Sequence, residues 1–166
     1  MEEMKRVRCS IMRGGTSKAV FFLENDIPRD PDKRNKFLLA AFGSPDRRQI
    51  DGLGGADPLT SKCAVIGPPI RQDSDISYSF YQVGIDTAVV KPGICGNISS
   101  AVASFAIDEG LVWATEPVTK VRIHHTQTDR ILIAEVPARD GKAVFEGNFE
   151  IAGVPGTGAK LKLDWK

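Results

Sequence analysis

The sequence has almost no excess charge. Lys and Arg number 22 against 21 Asp and Glu, a net charge of +1. No global field gathers nucleic acid or an anionic membrane surface, although local basic residues stay free to grip small anions. Long apolar runs are missing too. None approaches the roughly 20 residues that a membrane-spanning helix needs. The opening MEEMKRVRCS lacks the apolar segment of a secretory leader. Cysteine is scarce: Cys9, Cys63 and Cys95, an odd number with no C-x-x-C spacing. That pattern excludes a disulfide framework or a zinc site and fits a reducing, cytoplasmic setting. The only histidines, His124 and His125, are adjacent. Neighbours on a strand face opposite ways, so they cannot bind one metal from one side. No metal is expected, and both are read as structural or surface residues.

What remains is an ordinary globular composition, 42% hydrophobic and 26% charged over 166 residues. Such a length makes one domain with a real core, or one half of a larger protein. Residues 5–12 and 18–23 read as strands joined by the tight loop RGGTS. Cys9 and Cys63, inside apolar strands, are expected in the core. Asp30 caps a helix that has Pro31 in its first turn, carries Phe37, Leu38 and Ala41 on one face, and ends near Gly43. Residues 51–60 are a glycine-rich loop and 61–67 a short buried strand. Ser74 to Val83 alternates, with Ile76, Tyr78 and Phe80 on one face. Residues 85–90 continue the sheet, and residues 118–126, 130–137 and 142–147 give three further strands. The tail PGTGAKLKLDWK is a loop opening into another strand.

The clearest helix runs from Ile98 to Gly110. Ile98, Ala101, Val102, Phe105 and Ala106 follow helical spacing, and most other positions are small. A helix so thin admits backbone from all sides, which places it inside a curved sheet. Runs of strands with two helices give an α+β class.

Three stretches have chemical potential. MRGGTSK offers freed backbone N–H groups, the hydroxyls of Thr16 and Ser17, and a guanidinium at Arg13 suited to a carboxylate. It also reads simply as a solvated hairpin turn. DGLGGADPLTSK ends on Ser61 and Lys62, where a glycine-rich loop meets a buried strand. A lysine there is partly desolvated, which lowers its pKa and makes it usable as a base. The plainer reading is a surface lysine at a strand edge. Third, GICGN places Cys95, Gly96 and Asn97 at a helix start. Unpaired N–H groups and the helix dipole stabilise an anion there, either a bound carboxylate or a thiolate. Alternatively, Cys95 is a buried thiol acting as a small hydrophobe.

MRGGTSK, DGLGGADPLTSK, CGNISSAVASFAIDEGLV and GVPGTGA occur in this order. Together they resemble the 2-methylaconitate cis–trans isomerase family, the PrpF group. That family includes relatives described as methylitaconate Δ-isomerases and 4-oxalomesaconate tautomerases. The resemblance runs from Arg13 to Ala159 and implies the diaminopimelate epimerase-like fold, in which a mixed, curved sheet wraps a central helix in each of two lobes. It implies that residues 1–166 form the N-terminal lobe, with a second lobe lying outside this sequence.

It further implies cofactor-independent proton transfer on a small unsaturated di- or tricarboxylate. Lys62 and Cys95 match the family's catalytic positions. Arg13, Thr16, Ser17, Ser61, Gly96 and Asn97 would hold carboxylates. A homodimer, or a separate chain, would supply the missing wall of the cleft. Two rivals stay open: a catalytically inactive lobe that binds carboxylates or a partner, and an amino-acid epimerase or racemase. One departure from the family pattern is the approach to Cys95, KPGI, which is less polar than usual.

Overall fold

Residues 4–165 are described by the computed structural model. Met1 to Glu3, part of the opening read above for a leader, and Lys166 lie outside the described residues. Nine strands form one sheet: β1 (Ser10–Gly14), β2 (Ser17–Leu23), β3 (Lys62–Gly67), β4 (Ile76–Val83), β5 (Val90–Gly93), β6 (Val118–His125), β7 (Arg130–Arg139), β8 (Lys142–Ala143) and β9 (Lys162–Trp165). The order is β1-β2-β3-β4-β6-β7-β8, with β5 also on β4 and β9 on β7. Pairing is antiparallel except for β2 with β3 and β4 with β6. The two helices are α1 (Pro31–Phe42) and α2 (Gly96–Asp108). Among the described residues no helix is long and apolar enough to cross a membrane.

The sheet curls around α2, which touches β1, β2, β3, β6, β7 and β8. Small side chains allow this. Ser99, Ala101, Ala103, Ser104 and Ala106 are all buried, and between them Ile98, Val102, Phe105 and Ile107 reach into the sheet's concave face. Alternation along each strand supplies the matching inner surface: Ala19 and Phe21, Ala64 and Ile66, Ile76, Tyr78 and Phe80, Val121 and Ile123, Leu132, Ala134 and Val136. The rings of Phe21 and Phe105 meet at 5.3 Å.

The opposite faces of β2, β3 and β4 are also buried. Val20, Phe22, Cys63, Val65, Tyr81 and Val83 form a second cluster with Leu38 and Phe42 of α1. Helix α1 is bounded as its sequence predicts. The Asp30 carboxylate accepts from the Lys33 N–H at 2.9 Å, and Gly43 closes the other end in the left-handed region at φ 75. Two-sided burial explains why β3 reads as a continuous apolar run.

Four expectations are corrected. First, no strand spans residues 5–9; the first begins at Ser10. Lys5, Arg6 and Arg8 interrupt the apolar pattern, and Arg8 instead pairs with Glu109 at 2.6 Å. Cys9 is therefore exposed rather than core, whereas Cys63 is buried as expected.

Second, residues 85–89 form a loop closed by Gly84 N–H donating to Val89 O at 2.7 Å. The strand lies later, at Val90–Gly93, and contains Pro92. Proline cannot donate to a ladder, and β5 tolerates it as a short edge strand paired only with β4.

Third, only Lys142–Ala143 of residues 142–147 pairs as strand. The chain then leaves the sheet and passes beside α2, with Ala159 N–H donating to Phe145 O at 2.9 Å. Fourth, α2 begins two residues earlier than predicted, at Gly96, and ends at Asp108.

Strand β4 has two neighbours along one edge. Its first half pairs with β6 and its second half with β5. The Gln127 side chain fills the junction, accepting from Phe80 N–H at 2.9 Å and donating to Phe80 O at 2.8 Å. A carboxamide here does the work of one backbone unit. Both histidines lie nearby and both are buried. Burial, then the charge of His124, holds His125 below the usual imidazole range. Its ring stacks edge-on against Tyr78 at 5.1 Å, and its Nδ1 lies 2.9 Å from Thr128 Oγ1.

The thinness of α2 is testable. Ala103 is fully buried. Ala103→Leu is expected to lower the unfolding free energy by about 1–3 kcal/mol through overpacking, read from urea denaturation. An unchanged midpoint would mean that this face of α2 does not meet the sheet closely.

Candidate active site

The N-terminal end of α2 gathers most of the residues singled out from the sequence. Cys95 is the N-cap, half-buried against the core, and its side chain caps nothing. The first-turn N–H groups thus have no side-chain acceptor. The Ser99 hydroxyl donates to Cys95 O at 2.8 Å and fixes the turn.

The β1–β2 hairpin packs directly onto that turn. A Cβ at Gly14 would collide with the Asn97 carbonyl. Gly15 sits at φ 51 against the Asn97 side chain, so only glycine suits it. Asn97 Nδ2 donates to Thr16 Oγ1 at 3.0 Å and to Ser17 Oγ at 3.4 Å. Each hydroxyl accepts from Asn97 and keeps its own proton to donate. Arg13 donates to Gly15 O at 2.8 Å. It lines a cleft of about 260 Å³ together with Gly14, Gly96, Asn97, Phe149 and Gly158.

Lys62 enters from the strand side. It shares the inward face of β3 with Ala64 and Ile66, and Ala19 of β2 and Gln82 of β4 lie beside it in register. It is buried, at 8% exposure. Its Nζ donates to Gln82 Oε1 at 2.7 Å and sits 5.5 Å from the centre of the Phe80 ring. Gly93, paired with Phe80, leads two residues on to Cys95. The base candidate and the thiol candidate therefore flank one stretch of β4. Neither lines the cleft beside Arg13, which opens on the hairpin side of α2.

Ser61 is placed differently. It is fully buried, donating to Val83 O at 2.9 Å and accepting from Gln49 at 2.8 Å. Its hydroxyl is committed to the fold rather than presented to a ligand. Cys63 faces the α1 side of the sheet, where burial pushes its thiol far above the ordinary range. Cys9 lies near Phe105 and Glu109, at the other end of α2. Tyr78 is buried with Ser99 and Cys95 as polar neighbours, and burial raises its phenol well above the ordinary range.

Sequence reasoning missed Gln82. The signal was legible: the inward series Ile76, Tyr78, Phe80 continues to a polar residue. Among the described residues no group of three or more His, Cys, Asp and Glu is arranged to hold a metal.

A curved mixed sheet around a buried helix, with the helix start facing a polar rim, defines one lobe of the racemase and epimerase fold. A probable proline racemase from Agrobacterium radiobacter overlays 82% of this chain and 40% of its own, with a TM-score of 0.55 at 14% identity, a likeness of fold alone. The PrpF protein family matches residues 4–166, and the chain belongs to that family.

A 3-methylitaconate isomerase of Eubacterium barkeri is 54% identical over 166 residues, covering 99% of this chain and 44% of that protein. A 4-oxalomesaconate tautomerase of Pseudomonas putida is 49% identical over 157 residues, covering 94% of this chain and 44% of that protein. The crystal structure of a methylitaconate Δ-isomerase overlays 95% of this chain and 41% of its own, with a TM-score of 0.93 at 55% identity. The chain thus spans less than half the length of the relatives it matches.

The three thiols should separate chemically. Iodoacetamide at pH 8 is expected to label Cys9 and Cys95 in the folded protein and to spare Cys63 until urea unfolds it, read by peptide mass spectrometry. Equal labelling of Cys63 in the folded protein would contradict its burial.

Proposed function

We propose that this chain forms one wall of the active site of an isomerase that moves a proton on a small unsaturated di- or tricarboxylate without a cofactor. The observation that carries this reading is the placement of Lys62. A buried amine with a neutral acceptor stands at the end of the sheet where the start of α2 and the hairpin offer uncommitted donors. The activities for which the similar proteins are named, methylitaconate isomerisation and oxalomesaconate tautomerisation, support the same class.

A C–H beside a conjugated carboxylate is weakly acidic. Removing the proton spreads negative charge onto oxygen. Lys62 takes the proton and returns it at another carbon. The N–H groups of Gly96 and Asn97 and the hydroxyls of Thr16 and Ser17 hold carboxylates and the developing oxyanion, while Arg13, in the cleft on the hairpin side of α2, holds a more distant carboxylate. Cys95 acts as the second acid or base, or orients the substrate. Ser61 serves the site from behind, by holding the loop that precedes Lys62. Three unpaired cysteines suit a cytoplasmic location. The facing wall comes from a second lobe or from another chain, a second copy included.

A racemase acting through two cysteines would need its second thiol on the facing wall, since Cys63 is sealed behind the sheet and Cys9 lies at the far end of α2.

In the full-length protein, Lys62→Ala is expected to cut kcat for isomerisation of a methylitaconate or oxalomesaconate substrate by about 10²–10⁴-fold, with the melting temperature little changed. Full turnover in that variant would sink the assignment of Lys62 as the base.

A further inference from the structure

Lys62 can act as a base only if its amine is aimed, and the group that aims it is held with unusual completeness. Gln82 lies beside Lys62 in the β3–β4 register. Its Nε2 donates to Ser61 O at 2.9 Å and to Pro58 O at 3.1 Å. Both partners are carbonyls, which only accept. The nitrogen end of the amide is therefore fixed toward the loop, and Oε1 must face Lys62, whose Nζ donates to it at 2.7 Å.

The anchor goes deeper. Ser61 Oγ donates to Val83 O at 2.9 Å and accepts from Gln49 Nε2 at 2.8 Å. Gln49 Nε2 also reaches Ser44 Oγ at 3.1 Å, while its Oε1 accepts from Ala56 N–H at 2.9 Å. Gln49 is 1% exposed. The glycine-rich loop is thus tied to the sheet through two glutamines, and the free end of that chain of bonds is the oxygen that meets Lys62.

We propose that Gln82 is the positioning residue for Lys62: a neutral, rigidly oriented acceptor that aims Nζ without fixing its charge. This rests on Lys62 being the base. A carboxylate at the same place would form an ion pair and hold the amine protonated. An apolar side chain would leave the amine unaimed. An amide oxygen avoids both.

The surroundings agree. Among the described residues no carboxylate forms an ion pair with Lys62. The inward neighbours are Ala19 from β2 and Phe80 from β4, both uncharged. From the β5 side come Lys91, exposed and in register with Gln82, and the thiol of Cys95 beyond Gly93.

Two variants of the full-length protein test this, Gln82→Glu and Gln82→Met, with melting temperatures taken for both. Lys62 is followed by NMR of ¹³C-labelled lysine, assigned with Lys62→Arg. The midpoint of its titration is expected to rise by about one unit or more in Gln82→Glu and to fall in Gln82→Met. The limb of the pH–kcat profile that needs a free amine should move with it. In Gln82→Met, kcat should fall by about 10²-fold while KM changes little.

Either folded variant alone suffices. Midpoints equal to the wild type would overturn the positioning role directly. Midpoints that move while the pH–kcat profile stays still would overturn the base assignment, and the positioning role with it, leaving only a hydrogen bond.

Discussion

Every part of this fold depends on how closely backbone can approach α2. Side chains of one to three heavy atoms cover most of that helix, so six strands reach it within one layer of packing. The tightest approach is at its first turn, where Gly14 and Gly15 lie against Asn97 with no room for a Cβ. That contact sets the helix start relative to the hairpin, and so sets the spacing between its N–H groups and the hydroxyls of Thr16 and Ser17. A larger residue in either segment would push the hairpin away from the helix start. Packing and site geometry are here the same constraint.

The second constraint is the two-sided burial of β3 and β4. Strands covered on one face alternate sharply, whereas these carry apolar residues on both, inward to α2 and outward to α1. Lys62 and Gln82 are the polar exceptions on the inward face, and they are neighbours. Placing them together lets each satisfy the other where water has little access. It also ties down the glycine-rich loop before Lys62: Gln49 and Gln82 supply bonds that its irregular backbone does not make with itself.

Elements that bury a regular pattern were readable in the sequence. The spacing of Ile98, Val102 and Phe105, the alternation of Ile76, Tyr78 and Phe80, and the Asp30 and Gly43 caps each follow from local rules. Elements whose form depends on distant partners were not. Residues 85–90 have the strand-like composition, yet β4 offers its open edge to Val90–Gly93 despite the proline there. Residues 144–147 have strand-like composition but leave the sheet, since their contacts lie with α2 and the tail. The exposure of Cys9 follows from the charges that precede it, Lys5, Arg6 and Arg8, which outweigh one apolar pattern. Of the site, the motifs marked the right end of the molecule. They could not show that the hydroxyl of Ser61 is taken up by the fold, because that depends on Gln49, twelve residues away, and on Val83 meeting it.

The arrangement divides chemical labour between two supports. The donors that would meet negative charge sit on the hairpin and the start of α2, where Gly14 and Gly15 lie tightly against Asn97. The amine that would exchange a proton sits across from them on a strand, held by a neutral amide. Proton abstraction beside a carboxylate needs both: fixed dipoles where charge collects, and a base whose own charge is free to change. Had the amine been held by a carboxylate, it would have been locked in its protonated form. Had the donors been on a mobile loop, they would have had to reorganise as charge developed. On the proposed reading, it is the separation of a rigid anion-binding edge from an uncharged support for the base that would suit this end of the sheet to proton transfer, beyond simply binding a carboxylate.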